Sequence, residues 1–156
     1  DVQQAYVTFI RPIIEYASMV WSPYKIKHIN AIEKIQLHFT RRIPILRDLS
    51  YGERLATINL ETLEIRRLKC YLTMYYKILH SLTPLPVDEY FTITSHNRPT
   101  RSLDKFLLDK PDFCSNVLDN EFFVRRIACW NDLPESVKNA SSVGSFKTML
   151  SKRNEP

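Results

Sequence analysis

The chain has 156 residues, 44% hydrophobic, 12% aromatic and 25% charged, a globular balance that argues against intrinsic disorder. Only two glycines occur, Gly52 and Gly144, which disfavours a many-turned β protein because turns with positive φ favour glycine. The formal net charge of +5 suits a nucleic-acid or anionic-surface partner without requiring one, since many basic proteins bind neither.

Three widely spaced cysteines, Cys70, Cys114 and Cys129, make a poor disulfide framework and suit a reducing, intracellular setting, with nucleus and cytoplasm both compatible. No run approaches the ~18 apolar residues of a membrane span, so no membrane partner is expected. The start, Asp1-Val2-Gln3-Gln4, does not read as a signal peptide and lacks an initiator Met; it begins inside a patterned segment, as a fragment of something longer would.

Apolar residues at Val2, Tyr6, Phe9, Ile10, Ile13, Ala17 and Val20 have helical spacing, and Pro12 predicts a kink or two short helices meeting there. Ser22-Pro23 is a turn signal. A clean amphipathic helix is expected from about Lys25 to Ile43. Ile29, Ile32, Ile35, Gln36, Phe39 and Ile43 lie on one side, and Lys27, Lys34, His38 and Arg41 lie in a narrow arc opposite. Pro44 marks its stop. Ser50-Tyr51-Gly52-Glu53 has capping-box spacing and predicts a short helix to about Ile58. Thr62 can cap a helix over about Leu63 to Ser81. Its apolar stripe is Ile65, Leu68, Leu72, Tyr75, Tyr76 and Leu79, and Arg66, Lys69, Thr73, Lys77 and His80 lie opposite.

Thr83-Pro84-Leu85-Pro86 ends this helical half. Residues 83 to about 104 are the least ordered by composition, with a basic loop at His96–Arg101. Phe106 to Leu108 and Phe113 to Ser115 flank Asp109-Lys110-Pro111-Asp112 as the arms of a small hairpin. A helix is expected over about Asn120 to Asn131 with Phe123, Ile127 and Trp130 on one face. A brief helix should begin at Pro134, and a last one, capped by Ser141 or Ser142, should run through Phe146 and Leu150. The fold is therefore mainly α. Its parts are a helical bundle over residues 1–82, a loop-rich linker with the hairpin over 83–118, and a C-terminal helical extension over 119–156.

Nucleotidyl transfer needs paired carboxylates to hold two metal ions, commonly adjacent aspartates on a hairpin, and no Asp-Asp pair occurs. The adjacent acids Asp88-Glu89 read as solvated loop charges. Gly-rich phosphate loops are excluded, zinc sites would want closer Cys or His pairs, and no Gly-x-Ser-x-Gly elbow is present. The chain is therefore expected to bind no cofactor and to be inactive as a polymerase alone. The positive signal is cationic helix faces. Arg41 and Arg42 end the second helix, where they can cap it, contact phosphate, or do both. Arg66, Lys69 and Lys77 fit either an ordinary solvated face or a phosphate-contacting one. Tyr75, Tyr76, Phe123 and Trp130 read as core rather than as stacking platforms.

A longer ordered pattern carries the reading further. Phe9-Ile10-Arg11-Pro12-Ile13-Ile14-Glu15-Tyr16-Ala17 leads into Val20-Trp21-Ser22-Pro23-Tyr24. Ile32-Glu33-Lys34-Ile35-Gln36 and Phe39-Thr40-Arg41-Arg42-Ile43 follow. Next come Leu49–Leu55 and Leu63-Glu64-Ile65-Arg66-Arg67-Leu68, then Phe122, Arg125, Trp130-Asn131, Leu133-Pro134 and Phe146-Lys147. Over nearly its whole length the chain resembles the segment after the palm in reverse transcriptases (RNA-directed DNA polymerases) of non-LTR retrotransposons, the Jockey-like LINE type.

The resemblance implies a transposable-element polyprotein with upstream palm and fingers, whose catalytic aspartates and Mg lie outside this chain. It implies that residues 1–82 are thumb-like and pack on an RNA and DNA primer–template duplex. Lys27, Lys34, Arg41, Arg42, Arg66, Arg67, Lys69 and Lys77 are the candidate nucleic-acid-binding residues, and Trp21, Phe39 and Trp130 match aromatic positions read as packing. Two alternatives are a free-standing nucleic-acid-binding module and a structural or protein-interaction domain.

Overall fold

In the computed structural model the chain is mainly helical, with one small antiparallel strand pair; residues 2–94, 105–111 and 122–153 are described. The chain divides into two compact units, Asp1–Leu68 and Lys69–Pro156, and the division falls inside a helix rather than in the Pro-rich turn after it.

The first unit opens with α1 (Val2–Ala5), a π-helical turn (Tyr6–Ile10) and α2 (Arg11–Glu15). The interruption expected at Pro12 takes the form of this π-turn. Ile10 and Arg11 keep helical dihedrals, and the Arg11 N–H reaches back five residues to the Tyr6 carbonyl. Proline removes a donor and its ring crowds the carbonyl four residues back, so a locally widened turn accommodates it without breaking the rod. Tyr16 leaves the helix, Ala17 turns through the left-handed region (φ 49), and α3 (Ser18–Trp21) follows. After Ser22-Pro23, α4 runs over Ile26–Arg41, and Pro44 opens a 3₁₀ turn, Pro44–Leu46.

Ser50 caps α5 (Tyr51–Thr57) with the full capping box. Its Oγ accepts from the Glu53 N–H at 3.4 Å, and its own N–H donates to Glu53 Oε2 at 2.8 Å. Hydrogen bonding to the Glu53 carboxyl from the Ser50 side chain, then from the Ser50 backbone N–H, holds it below its usual range. A left-handed Asn59 closes α5, with Leu60 N–H on the Leu55 carbonyl and Asn59 N–H on the Ala56 carbonyl. Thr62 Oγ1 accepts from the Ile65 N–H (3.2 Å) at the start of α6 (Leu63–Leu79), the helix that holds the division.

In the second unit α6 ends at a left-handed Ser81, with Leu82 N–H on the Lys77 carbonyl and Ser81 N–H on that of Ile78. Then come α7 (Val87–Tyr90), β1 (Thr92–Ile93), β2 (Leu108–Asp109), α8 (Phe122–Arg125), α9 (Ile127–Asn131), α10 (Glu135–Lys138) and α11 (Val143–Arg153). The strands pair antiparallel, Thr92 with Asp109 and Ile93 with Leu108. Leu108 therefore finds its partner upstream, while the arm expected at Phe113–Ser115 and the His96–Arg101 loop lie outside the described residues.

The helix expected over 120–131 is two short turns separated by Arg126, whose φ of −115 leaves the helical range. Ser142 Oγ caps α11 through the Ser145 N–H (3.1 Å). Tyr71, Tyr75, Trp130 and Phe146 are all fully buried in this unit, and the Trp130 indole N–H donates to the Phe106 carbonyl at 2.8 Å. Among the described residues no helix is long and apolar enough to cross a membrane.

Candidate nucleic-acid interface

The inner side of α4 is held by a polar network. Gln36 is fully buried; its Oε1 accepts from Tyr6 Oη (2.8 Å), and its Nε2 donates to the Glu61 carbonyl (2.9 Å) and to Tyr51 Oη (3.2 Å). Tyr51 Oη donates to Glu33 Oε1 at 2.5 Å, and the Glu33 carboxylate also accepts from the Leu63 N–H at 3.1 Å, at the positive end of α6. Burial pushes the Tyr6 phenol up to about 12, and burial followed by the bond to Glu33 raises that of Tyr51 further. Glu33 is thus committed inward.

That commitment shapes the outer side. Lys27, Lys34, His38 and Arg41 are all exposed, as expected, and so is the C-cap residue Arg42. Lys27, Lys34 and Arg41 recur every seventh residue, so they line one face at intervals of about 10 Å. The stretch from Tyr16 to Arg47 holds six cations and a single acid, Glu33; the other 16 cations and 16 acids of the chain cancel, so this stretch carries the whole +5. Its six cations are all exposed. Lys25 and Arg47, which flank α4, are cations that helix periodicity did not single out; the uneven distribution of acids along the sequence was the available signal.

The second expected stripe is different. Arg66 forms a two-bond ion pair with Glu15, its Nη2 donating to Oε2 at 2.9 Å, and its charge is offset there. Arg67 is 4% exposed, so its guanidinium is not presented to a duplex. Lys69 Nζ lies 3.3 Å from Ser151 Oγ and is half-buried, as is Lys77. Thr73 is buried with its hydroxyl on the Lys69 carbonyl (2.7 Å). His80 stacks on Tyr76 at 4.1 Å, lies 4.5 Å from the Phe106 ring and meets the Lys138 carbonyl at 2.9 Å. This side of α6 is packed rather than solvated. Of the eight candidate cations, Lys27, Lys34, Arg41 and Arg42 are exposed along α4 and at its C-cap, whereas Arg66 is ion-paired, Arg67 is buried, and Lys69 and Lys77 are half-buried.

The aromatic expectations also divide. Tyr75, Tyr76 and Trp130 are core, and Phe39 packs on Tyr6 with ring centroids 4.3 Å apart. Trp21, expected to pack, is 41% exposed. Asp88 and Glu89 are exposed in the first turn of α7. Among the described residues no group of three or more His, Cys, Asp or Glu side chains is placed to hold a metal ion. The arrangement can attract and position an extended anion. No protein-family model, curated protein or solved structure matches the chain.

Proposed function

We propose that this chain is the duplex-gripping, thumb-like part of a non-LTR retrotransposon reverse transcriptase, holding RNA–DNA primer–template beside an active site supplied by palm and fingers of the same polyprotein. The family assignment rests on the ordered motifs of the sequence. The observation that carries the binding role is the exposed face of α4, where Lys27, Lys34, Arg41 and Arg42 stand with no exposed acid among them. Lysine and arginine neutralise phosphates and release condensed counterions, which gives affinity without sequence preference. A helix laid along a hybrid senses its shallow minor groove by shape. Holding the primer end in place supplies proximity to chemistry performed elsewhere. A protein-interaction role is the second reading, favoured by Phe9, Ile13 and Val20, which stand 69%, 76% and 87% exposed.

Titration of one RNA–DNA hybrid across a salt series separates these readings. Each phosphate contact contributes about 0.9 to the slope of log affinity against log salt on B-form DNA, and a hybrid should behave comparably. Replacing Arg41 and Arg42 together with Gln is expected to lower affinity for all sequences alike and to flatten the slope by roughly one to two units, with stability changing by less than ~0.5 kcal/mol. Unchanged slope and affinity would assign the pair to capping alone, and no binding at low salt would leave the protein-interaction reading standing.

A further inference from the structure

We propose that Tyr16, Trp21 and Tyr24 form a stacking platform for unpaired bases, so that the preferred ligand of this surface is a duplex running into a single strand. The proposal rests on the nucleic-acid reading of α4 and adds a second kind of contact to it.

The three rings are 80%, 41% and 49% exposed within one nine-residue stretch that leads into α4. Trp21 is held rather than loose: its indole N–H donates to the Tyr16 carbonyl at 2.6 Å. With its one polar donor satisfied, the indole has only its apolar ring surface left to offer, which suits a partner that stacks rather than one that hydrogen-bonds. Ala17 takes a left-handed conformation between α2 and α3, Ser18 at the start of α3 is buried, and the Trp21–Tyr16 hydrogen bond spans this turn.

The electrostatic setting selects the ligand. The Lys25 ammonium lies 5.8 Å from the Tyr24 ring centre, and Lys27 starts the cationic face of α4 two residues on. No acid occurs from Tyr16 to Ile32. A matching ligand therefore combines flat π faces with regularly spaced negative charge. A single strand of nucleic acid does so, because every base has a π face and every linkage a phosphate. A closed duplex shows the charge but keeps its base faces internal, so it can use the α4 cations without using the three rings.

The test uses the 156-residue chain with a blunt RNA–DNA hybrid and with the same hybrid carrying an unpaired thymidine tail of about six nucleotides. Stacking contributes roughly a fivefold to hundredfold gain per base, so the tail should raise affinity at least about tenfold. The triple variant Tyr16→Ala/Trp21→Ala/Tyr24→Ala should lose that gain and keep the blunt-hybrid affinity. A second readout guards against a misfolded variant. Of the two tryptophans Trp130 is fully buried, so fluorescence quenching by the tail should come from Trp21 and should vanish in Trp21→Phe, which retains a ring to stack on. A tail that adds no affinity overturns the proposal. So does a triple variant that weakens blunt and tailed hybrids equally, or a tail that leaves the fluorescence unchanged. Blunt-hybrid binding of normal salt dependence without a tail effect removes the platform alone, whereas failure to bind either ligand removes the duplex reading with it.

Discussion

The two units bury different kinds of side chain. In the second, the buried set is dominated by large apolar and aromatic groups: Tyr71, Tyr75, Tyr76, Phe91, Phe106, Trp130 and Phe146. In the first it is small and mixed. Tyr6, Leu46, Leu55 and Leu63 share the interior with Ser18, Gln36, Thr40, Arg54 and Arg67. The exposed apolar groups run the other way. Of the fourteen large hydrophobics exposed among the described residues, eleven lie in the first unit, from Phe9 to Leu49. The second unit spends its hydrophobic residues inward, where burial of each contributes about 1.5–3 kcal/mol. The first draws more of its cohesion from hydrogen bonds and keeps apolar and cationic groups outside, where they can act on a partner. The unit with the poorer core also carries the stretch that holds the chain's whole net charge, and the proposed binding role rests on that coincidence.

The largest effect is expected where the apolar core is densest. Trp130→Ala removes a fully buried indole that touches Tyr75 and Phe146 and donates to the Phe106 carbonyl. It should cost about 4 kcal/mol in denaturant unfolding, from lost transfer energy, a cavity and an orphaned carbonyl. A loss near 1 kcal/mol would mean that this core is looser than its burial indicates, and the contrast between the units would weaken.

In the first unit the comparable break is polar. Gln36→Leu keeps side-chain volume nearly constant but deprives Tyr6 Oη of its acceptor and the Glu61 carbonyl of its donor. At ~1–3 kcal/mol for each orphaned group, the variant should lose about 3 kcal/mol although it is more hydrophobic than the parent. A neutral or stabilising outcome in the same unfolding experiment would show that the network is replaceable by apolar packing.

The Tyr6 phenol links the same network to pH. Its folded value lies near 12 against an ordinary 10.0, because burial, then the charge of Glu15, disfavour the phenolate. The stability this contributes is fully present below pH 10, where both states are protonated. It is lost as pH rises, because the unfolded chain ionises first and the folded one only near 12. Tyr6→Phe should therefore decline less steeply than the parent when unfolding free energy is followed from about pH 9 to 11. Parallel curves would mean that the buried phenol does not titrate across folding.

Much of the helical framework was legible because its signals are local. Ser50 with Glu53, Thr62 before Leu63, Pro44 after α4 and Ser142 before α11 are caps and stops that a few neighbouring residues decide. The outer face of α4 was equally legible, since Lys27, Lys34 and Arg41 share one wheel position. Periodicity failed where polar groups satisfy themselves. Thr73 bonds its own helix and His80 uses its ring faces as well as a nitrogen, so Thr73 is buried and His80 half-buried on a side of α6 that a wheel marks as solvated. The ion pair of Arg66 with Glu15 joins residues 51 apart, and the Tyr6–Gln36 bond spans 30. No local pattern encodes either contact. Phe9, Ile13 and Val20 have the spacing of a buried stripe yet are exposed, and spacing does not say what covers them.

The smallest effect sets the units side by side at a single backbone position. Both α5 and α6 end in the same double-bonded closure around a left-handed residue, Asn59 at φ 51 in the first unit and Ser81 at φ 54 in the second. The geometry is matched, so the side chain is the variable. Asparagine tolerates this region because its short amide hydrogen-bonds locally, whereas serine bears more of the clash between Cβ and the following carbonyl. Glycine removes the clash but adds conformational freedom to the unfolded chain, which offsets part of the gain. Ser81→Gly should therefore raise stability by ~0.5 kcal/mol, and Asn59→Gly should change it by no more than a few tenths. Matched denaturant melts of the two variants and the parent would decide the point. An equal gain at both positions would show that the left-handed cost does not depend on the side chain. A loss at Ser81 would show that its hydroxyl is needed where it stands.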